Sequence, residues 1–271
     1  MFSVDIKKCI GCALCIKDCF VNDIEMIDTH ASIKNLNCFK CGHCIAICPV
    51  GAISTDEYNM SDVIEYEKKS FDINPENLLN FIKFRRTIRQ FENKDIEKDK
   101  ILKIIEAGRF TQTASNSQDT SYIVVQKNIQ ELKKLALESL NRMATQILDN
   151  STSPLFRRYA KLWIQMYKNY IEDPNKEDRL FFNAPLIIVV VSDSQVNGAL
   201  ASSNMELMIN SLGLGTVFSG FFTKASENNP DIKEFLGIAP EKQIVTCMVI
   251  GYPSIKYSRT VPRKSADISW R

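Results

Sequence analysis

The rhythm of apolar positions changes several times along the chain. Within Glu76–Arg86, Leu78, Leu79, Phe81, Ile82 and Phe84 share one face of a helix, and Ile101, Leu102, Ile104 and Ile105 do the same within Ile96–Gly108. Ser121–Gln126, with Ile123, Val124 and Val125 in succession, predicts a strand. A helical pattern then runs from about Asn128 to Tyr170. In its second half Leu155, Phe156, Tyr159, Leu162, Trp163, Met166, Tyr167 and Tyr170 lie opposite Arg158, Lys161, Gln165 and Lys168. Such a stripe suits core, a dimer interface or a lid over a site. The unbroken apolar run Leu186–Val191 predicts a buried strand. A helix over Gly198–Leu212, closed by Gly213, follows, and then strands over Thr216–Phe222 and Ile244–Ile250. Helices and strands mix without a regular βαβ beat, so the pattern predicts an α+β fold.

The N-terminal residues follow a different logic. Eight of the nine cysteines fall between positions 9 and 48, while Cys247 stands alone in an apolar stretch as a buried, inert thiol. Met1–Lys8 shows no secretion signal, and such density in that setting points to metal binding rather than disulfides. The spacing is specific. Cys9-x2-Cys12-x2-Cys15-x3-Cys19 is followed by Cys38-x2-Cys41-x2-Cys44-x3-Cys48-Pro49. Three thiolates of each run wrap one cubane cluster and the fourth turns to the other. Cys9, Cys12, Cys15 and Cys48 are therefore expected to hold one [4Fe–4S] cluster, and Cys19, Cys38, Cys41 and Cys44 the second. Zinc sites pair two short cysteine hooks per ion instead of repeating a four-cysteine run. His30 and His43 read as surface residues, since eight thiolates complete both sites.

Composition narrows the class without deciding it. Hydrophobic content of 45%, charged content of 24% and a net charge of +2 describe an ordinary globular chain with no bias toward nucleic acid or an anionic membrane. No apolar run is long enough to span a bilayer, and a cytoplasmic location is expected. The cysteine-rich composition ends near residue 58. A polar connector containing Asn74-Pro75 follows over 59–76, and the second domain occupies 77–271.

Arg85-Arg86-Thr87-Ile88-Arg89-Gln90-Phe91 sets three guanidiniums and a hydroxyl just after a helix, a donor set matched to phosphate oxygens that, taken alone, reads more readily as a solvated basic turn. With the Cys48-Pro49-Val50-Gly51-Ala52-Ile53 segment, the N-terminal runs resemble the bacterial two-cluster ferredoxin over about residues 1–58, although Phe20 stands where proline is usual. The arginine segment resembles the entry motif of the nitroreductase family of FMN-dependent oxidoreductases. Four further segments are similar in order: Thr113–Gln118, Asn183-Ala184-Pro185, Gly213–Gly220, and Gly251-Tyr252-Pro253 with Pro262-Arg263-Lys264. Asp119-Thr120 departs from the Pro-Trp usual there.

The resemblance implies a mostly antiparallel central sheet flanked by helices, and a homodimer with FMN at its interface. It implies that Arg85, Thr87 and Arg263 bind the FMN phosphate, with Arg86 and Lys264 assisting, and that Arg89 reaches the ribityl chain or the ring. Thr113, Ser115 and Asn116 would contact the flavin from the partner subunit, and Ser219 and Gly220 would donate backbone hydrogen bonds near its N5 edge. Both histidines precede residue 44, so the second domain has none for acid–base work. The expected function is an oxidoreductase passing electrons through two [4Fe–4S] clusters to FMN and on to a small organic acceptor, such as a nitroaromatic or quinone. The flavin would convert single electrons into a two-electron delivery. The external donor would be a ferredoxin or an NAD(P)H-linked protein. The alternative is an electron-transfer or sensor module with a protein partner and no small-molecule turnover.

Overall fold

The computed structural model describes residues 1–174, 177–227 and 229–271. Two compact units emerge: Met1–Asn74 with Thr113–Ser117, and Pro75–Gln112 with Gln118–Arg271.

The first unit is built twice over from one pattern. β1 (Phe2–Val4), α1 (Leu14–Asp18) and β2 (Ile24–Ile27) are followed by β3 (His30–Ile33), α2 (His43–Ile47) and β4 (Ile53–Thr55). β2 and β3 form a hairpin with Ile24 opposite Ile33, and β1 returns to pair with β4, Phe2 opposite Thr55. The connector carries a 3-10 turn at Met60–Asp62 and α3 (Lys68–Phe71). The buried apolar core holds Phe2, Cys15, Ile24, Ala31 and Ile53, with Ala52 also buried beside it. A core this small is marginal by itself, the situation in which bound metal contributes folding energy.

The second unit begins with α4 (Pro75–Phe84) and α5 (Lys98–Arg109), followed by β5 (Ser121–Val125), α6 (Ile129–Asn150) and α7 (Pro154–Glu172). Then come β6 (Leu186–Ser192), α8 (Gln195–Ser211), β7 (Gly215–Phe218), α9 (Gly220–Ser226), α10 (Pro230–Phe235) and β8 (Gln243–Gly251). The sheet order is β5-β6-β8-β7, antiparallel throughout. Every residue of β6 is buried, which is why it reads as one apolar run. Alternate residues enter different cores. Ile187, Val189 and Val191 pack with Leu132 and Leu140 of α6 and Trp163 of α7, whereas Leu186, Ile188 and Val190 pack with Ile104 of α5 and Met205 and Ile209 of α8. Full burial of each such side chain is worth about 1.5–3 kcal/mol, so β6 is the anchor of the unit. Among the described residues no helix is long and apolar enough to cross a membrane.

Three expectations need correction. The helix expected over Asn128–Tyr170 is two helices. Pro154 cannot continue a helix from its N-terminal side and holds Ser153 extended (φ −63°, ψ 119°), so α6 stops at Asn150 and α7 restarts with proline in its first turn. The strand expected over Thr216–Phe222 ends at Phe218, because the Ser219 hydroxyl accepts the N–H of Phe222 and starts α9. α8 begins at Gln195, ahead of the expected Gly198, because Ser194 caps it through the N–H of Asn197. The aromatic stripe of α7 divides: Trp163 and Met166 are buried with Ala160, while Leu155 and Phe156 are exposed. Tyr159 and Trp163 meet Phe221 of α9 edge to face, with ring centroids 5.9 and 5.8 Å away.

Candidate functional site

Eight thiols ring two cavities of the first unit. One is lined by Cys9, Cys12, Cys15 and Cys48, together with Val4, Ala31, Ala52 and Ile53. The other is lined by Cys19, Cys38, Cys41 and Cys44, with Phe20, Asp23, Phe39 and His43 among its walls. The backbone makes this possible by an alternating twist around the middle cysteine of each run. Gly11 (φ 64°) and Ala13 (φ 62°) flank Cys12, and Lys40 (φ 54°) and Gly42 (φ 74°) flank Cys41. Gly11 is required by space as well, since a Cβ there would sit 2.4 Å from the Thr29 carbonyl oxygen. Backbone N–H groups point at sulfur: Asp23 to Cys19 at 3.4 Å, Lys40 to Cys38 at 3.4 Å and Ala52 to Cys48 at 3.2 Å.

Among the described residues, no three Cys, His, Asp or Glu side chains converge as a single ion would require. The thiols instead stand around each cavity. Burial first, and the neighbouring Cys38 and Cys41 next, push the Cys44 thiol up to about 12; burial likewise raises Cys15. Four thiolates in an apolar cavity need cationic charge among them, and an iron–sulfur cluster supplies it. The donor set fits that group.

In the second unit, α4 ends at Phe84 and the arginine segment is tied on two sides. Thr87 bridges Thr216 at the outer edge of β7, and the Ile88 N–H donates to the Thr216 carbonyl at 3.0 Å. Further along, Phe91 bridges Pro253, the Glu92 N–H donates to Tyr252 at 2.8 Å, and the Ser254 N–H donates to Gln90 at 3.1 Å. Both ties need glycine opposite a large side chain: a Cβ on Gly215 would come within 2.4 Å of Ile88, and one on Gly251 within 2.7 Å of Phe91. With Ile88 turned into the protein, Arg85, Arg86, Thr87 and Arg89 line a cleft of about 400 Å³, joined by Ile82, Glu206, Tyr257 and Arg263. Arg85 is ion-paired with Glu206, and Arg86 folds back on the end of α4, donating to the carbonyls of Arg85 (2.6 Å) and Lys83 (2.7 Å). The Nε atoms of Arg85 and Arg86 are buried without a partner. Four guanidiniums against one carboxylate, with orphaned donors, make a receptor for a compact anion of more than one charge.

The nitroreductase family profile matches residues 82–252, which contain most of this cleft and the whole sheet. The chain belongs to the nitroreductase family. A 4Fe-4S dicluster domain profile matches residues 1–49, so the nitroreductase-family domain of this chain is fused to an iron–sulfur domain. An NADPH-dependent oxidoreductase of Staphylococcus aureus (strain USA300) is 23% identical over 184 residues, 66% of this chain and 66% of that protein. The match thus spans just under two thirds of that relative's length. A component of an ion-translocating oxidoreductase complex from Methanosarcina acetivorans is 44% identical over 45 residues, 17% of each chain. A solved nitroreductase with bound FMN from Bacteroides fragilis superposes with a TM-score of 0.52 at 19% identity, over 73% of this chain and 100% of that one, a likeness of fold.

The remaining expected residues are distributed unevenly in this nitroreductase-family chain. Lys264 is exposed and lies outside the lining that includes Arg263. Thr113, Ser115 and Asn116 also lie outside it. They fall in the loop grouped with the first unit, where the Asn116 amide donates to the carbonyls of Phe39 (3.1 Å) and Lys40 (2.9 Å). Ser219 is committed: its N–H donates to Cys247 at 2.8 Å and its hydroxyl to Leu180 at 2.9 Å. Gly220 borders open space, with nothing within 4 Å of a Cβ placed there.

Asp119 explains the departure from Pro-Trp. Its carboxylate accepts from the Ser192 hydroxyl (2.5 Å), the Asp193 and Ser194 N–H groups (2.8 and 3.2 Å) and the Asn197 amide (2.7 Å), fastening the turn from β6 into α8. Sequence reasoning missed Glu206 and Tyr257. For Glu206 a signal existed, since it is the only charged residue in α8.

Proposed function

We propose that this chain is an FMN-dependent oxidoreductase that receives electrons through two [4Fe–4S] clusters and delivers them to a small organic acceptor. The observation that carries the reading is the arginine cleft with its two orphaned Nε donors. Arg85 and Arg263 hold the FMN phosphate electrostatically, Arg89 reaches the ribityl chain or the ring, the Thr87 hydroxyl adds a neutral donor, and Arg86 supplies its Nε while its remaining donors finish α4. FMN, when bound, exchanges electrons singly with clusters and in pairs with organic molecules. Gly220 offers a backbone donor toward the reactive edge, while Thr113, Ser115 and Asn116 serve the flavin held by the partner subunit of a homodimer. Cys9, Cys12, Cys15 and Cys48 hold one cluster and Cys19, Cys38, Cys41 and Cys44 the other, with an external ferredoxin or NAD(P)H-linked protein as donor.

Anaerobic purification followed by cofactor analysis tests this directly. The expected result is iron and acid-labile sulfide near eight each per chain, with FMN rather than FAD released on denaturation. Reduced protein should then turn over nitroaromatics or quinones faster than free reduced flavin does. Stoichiometric zinc without sulfide, or released FAD, would refute the cofactor assignment. Sedimentation as a monomer with full flavin content would refute the shared-site homodimer.

A further inference from the structure

The repeat that builds the two thiol cavities is broken at one buried position. Four residues beyond the last cysteine of each run stand Asp23, after Cys19, and Ala52, after Cys48. Their places are equivalent. The N–H of Asp23 donates to Cys19 Sγ at 3.4 Å and that of Ala52 to Cys48 Sγ at 3.2 Å, and each residue is 2% exposed. Each also lines the cavity that its cysteine serves. One presents a methyl group and the other a carboxylate. Asp23 Oδ1 accepts the N–H groups of Leu36 (3.1 Å) and Asn37 (2.9 Å), shaping the approach to Cys38. Asp23 Oδ2 is buried with no partner. Shaping that loop needs only Oδ1, which an asparagine would supply without charge. A buried, unpartnered carboxylate oxygen is costly, so its presence calls for another account.

We propose that Asp23 separates the two clusters in reduction potential, making the one held by Cys19, Cys38, Cys41 and Cys44 the harder to reduce. The inference rests on the two-cluster reading above. Adding an electron to a cavity adds negative charge, and a fixed negative charge in the wall opposes it. Buried apolar neighbours such as Phe2 and Ile24 screen that opposition poorly. Ala52 exerts no such opposition in the other cavity. At equilibrium the first electron on the pair therefore resides on the cluster held by Cys9, Cys12, Cys15 and Cys48.

The test uses full-length protein, purified anaerobically and assayed for iron and sulfide, then titrated at one pH with redox mediators while EPR and visible absorbance are followed. Wild-type protein should show two separated potentials. Asp23→Asn keeps the Oδ1 acceptor and should favour reduction of one cluster tenfold or more, about 59 mV for one electron, leaving the other unmoved. Ala52→Asp is the reciprocal variant, lowering the potential of the other cluster by a similar factor, and it decides the matter if Asp23→Asn loads one cluster only. An Asp23→Asn protein with both potentials unmoved or one lowered overturns the assignment, as does an Ala52→Asp protein with no lowering. Wild-type protein that carries no iron and sulfide overturns the two-cluster reading itself.

Discussion

The Lys133 ammonium is buried inside the second unit, and replacing it should weaken that unit more than any surface change. Lys133 and Asp178 have side chains 2% and 3% exposed, with Nζ 3.5 Å from Oδ2 and 2.9 Å from the Pro174 carbonyl oxygen. The carboxylate in turn accepts the N–H groups of Leu180 and Phe181 at 2.9 Å and of Asn183 at 3.3 Å. At 3.5 Å, with an effective dielectric of about 20, the attraction between the charges is about 5 kcal/mol. Lys133→Met fills the volume but strands the carboxylate, and breaking a buried pair from one side costs about 3–5 kcal/mol. For a unit of this size that lowers the melting temperature by about 6–20 °C. The Asp178 loop also carries the Leu180 carbonyl that accepts the Ser219 hydroxyl, so the cap of α9 should loosen with it. Trp163 fluorescence is the appropriate probe, because Trp163 is buried in this unit while Trp270 is 89% exposed. Adding Asp178→Asn removes the stranded charge yet keeps an acceptor for Leu180 and Phe181, and should restore about half of the loss. A single variant melting within about 2 °C of wild type, or a double variant no better than the single, would refute this reasoning.

Three further outcomes are expected. Arg85→Ala should weaken FMN binding by about 1.5–3 kcal/mol, the loss of a charge-assisted hydrogen bond, and leave riboflavin affinity unchanged; equal losses for both in a fluorescence titration would place the phosphate elsewhere. Cys48→Ala should slow flavin bleaching by reduced ferredoxin in anaerobic stopped flow, while a small chemical reductant acts at a near-normal rate; equal ferredoxin rates in the two proteins would show that the clusters are bypassed. The Tyr252 hydroxyl, donating to Glu97 at 2.5 Å, holds that carboxyl down at about 2. Because its folded value lies below its unfolded value of about 4.3, this contribution is present above that pH and is lost as pH falls toward 2. Tyr252→Phe should flatten the acid limb of a stability–pH curve, and an unchanged limb would remove Glu97 from the account.

The grouping of the thiols around two cavities was legible in sequence because three cysteines of each set are close neighbours and their spacing repeats. The cysteine partition into two sets of four follows from one short rule of connectivity. β6 was legible for another reason, since a strand covered on both faces is apolar at every position. The break before α7 was written in Pro154, but the apolar period on both sides hid it. Ser219 likewise carries two signals, β-like neighbours before it and a capping hydroxyl within it, and only the packed structure decides between them. Glu206 and Tyr257 enter the arginine cleft from elements far away in sequence, and no local pattern reports such a meeting. The role of Asp119, a departure from Pro-Trp in the sequence, depends on four donors that only the folded β6–α8 turn assembles.

The seam formed by Thr87, Ile88 and the outer side of β7 also has a meaning for the fate of the chain before it is loaded. β7 is the last strand of its sheet, and an uncovered outer strand is a template for pairing with other chains. Here the cover is the same short segment that carries Arg85, Arg86 and Arg89, whose mutual repulsion the single Glu206 carboxylate offsets only in part. A ligand that binds only the folded form draws the population toward it in proportion to its concentration over its dissociation constant. On the proposed reading that the arginine cleft takes the flavin phosphate, cofactor supply and resistance to self-association would become one variable, with the sheet margin least guarded in chains made faster than flavin can be delivered.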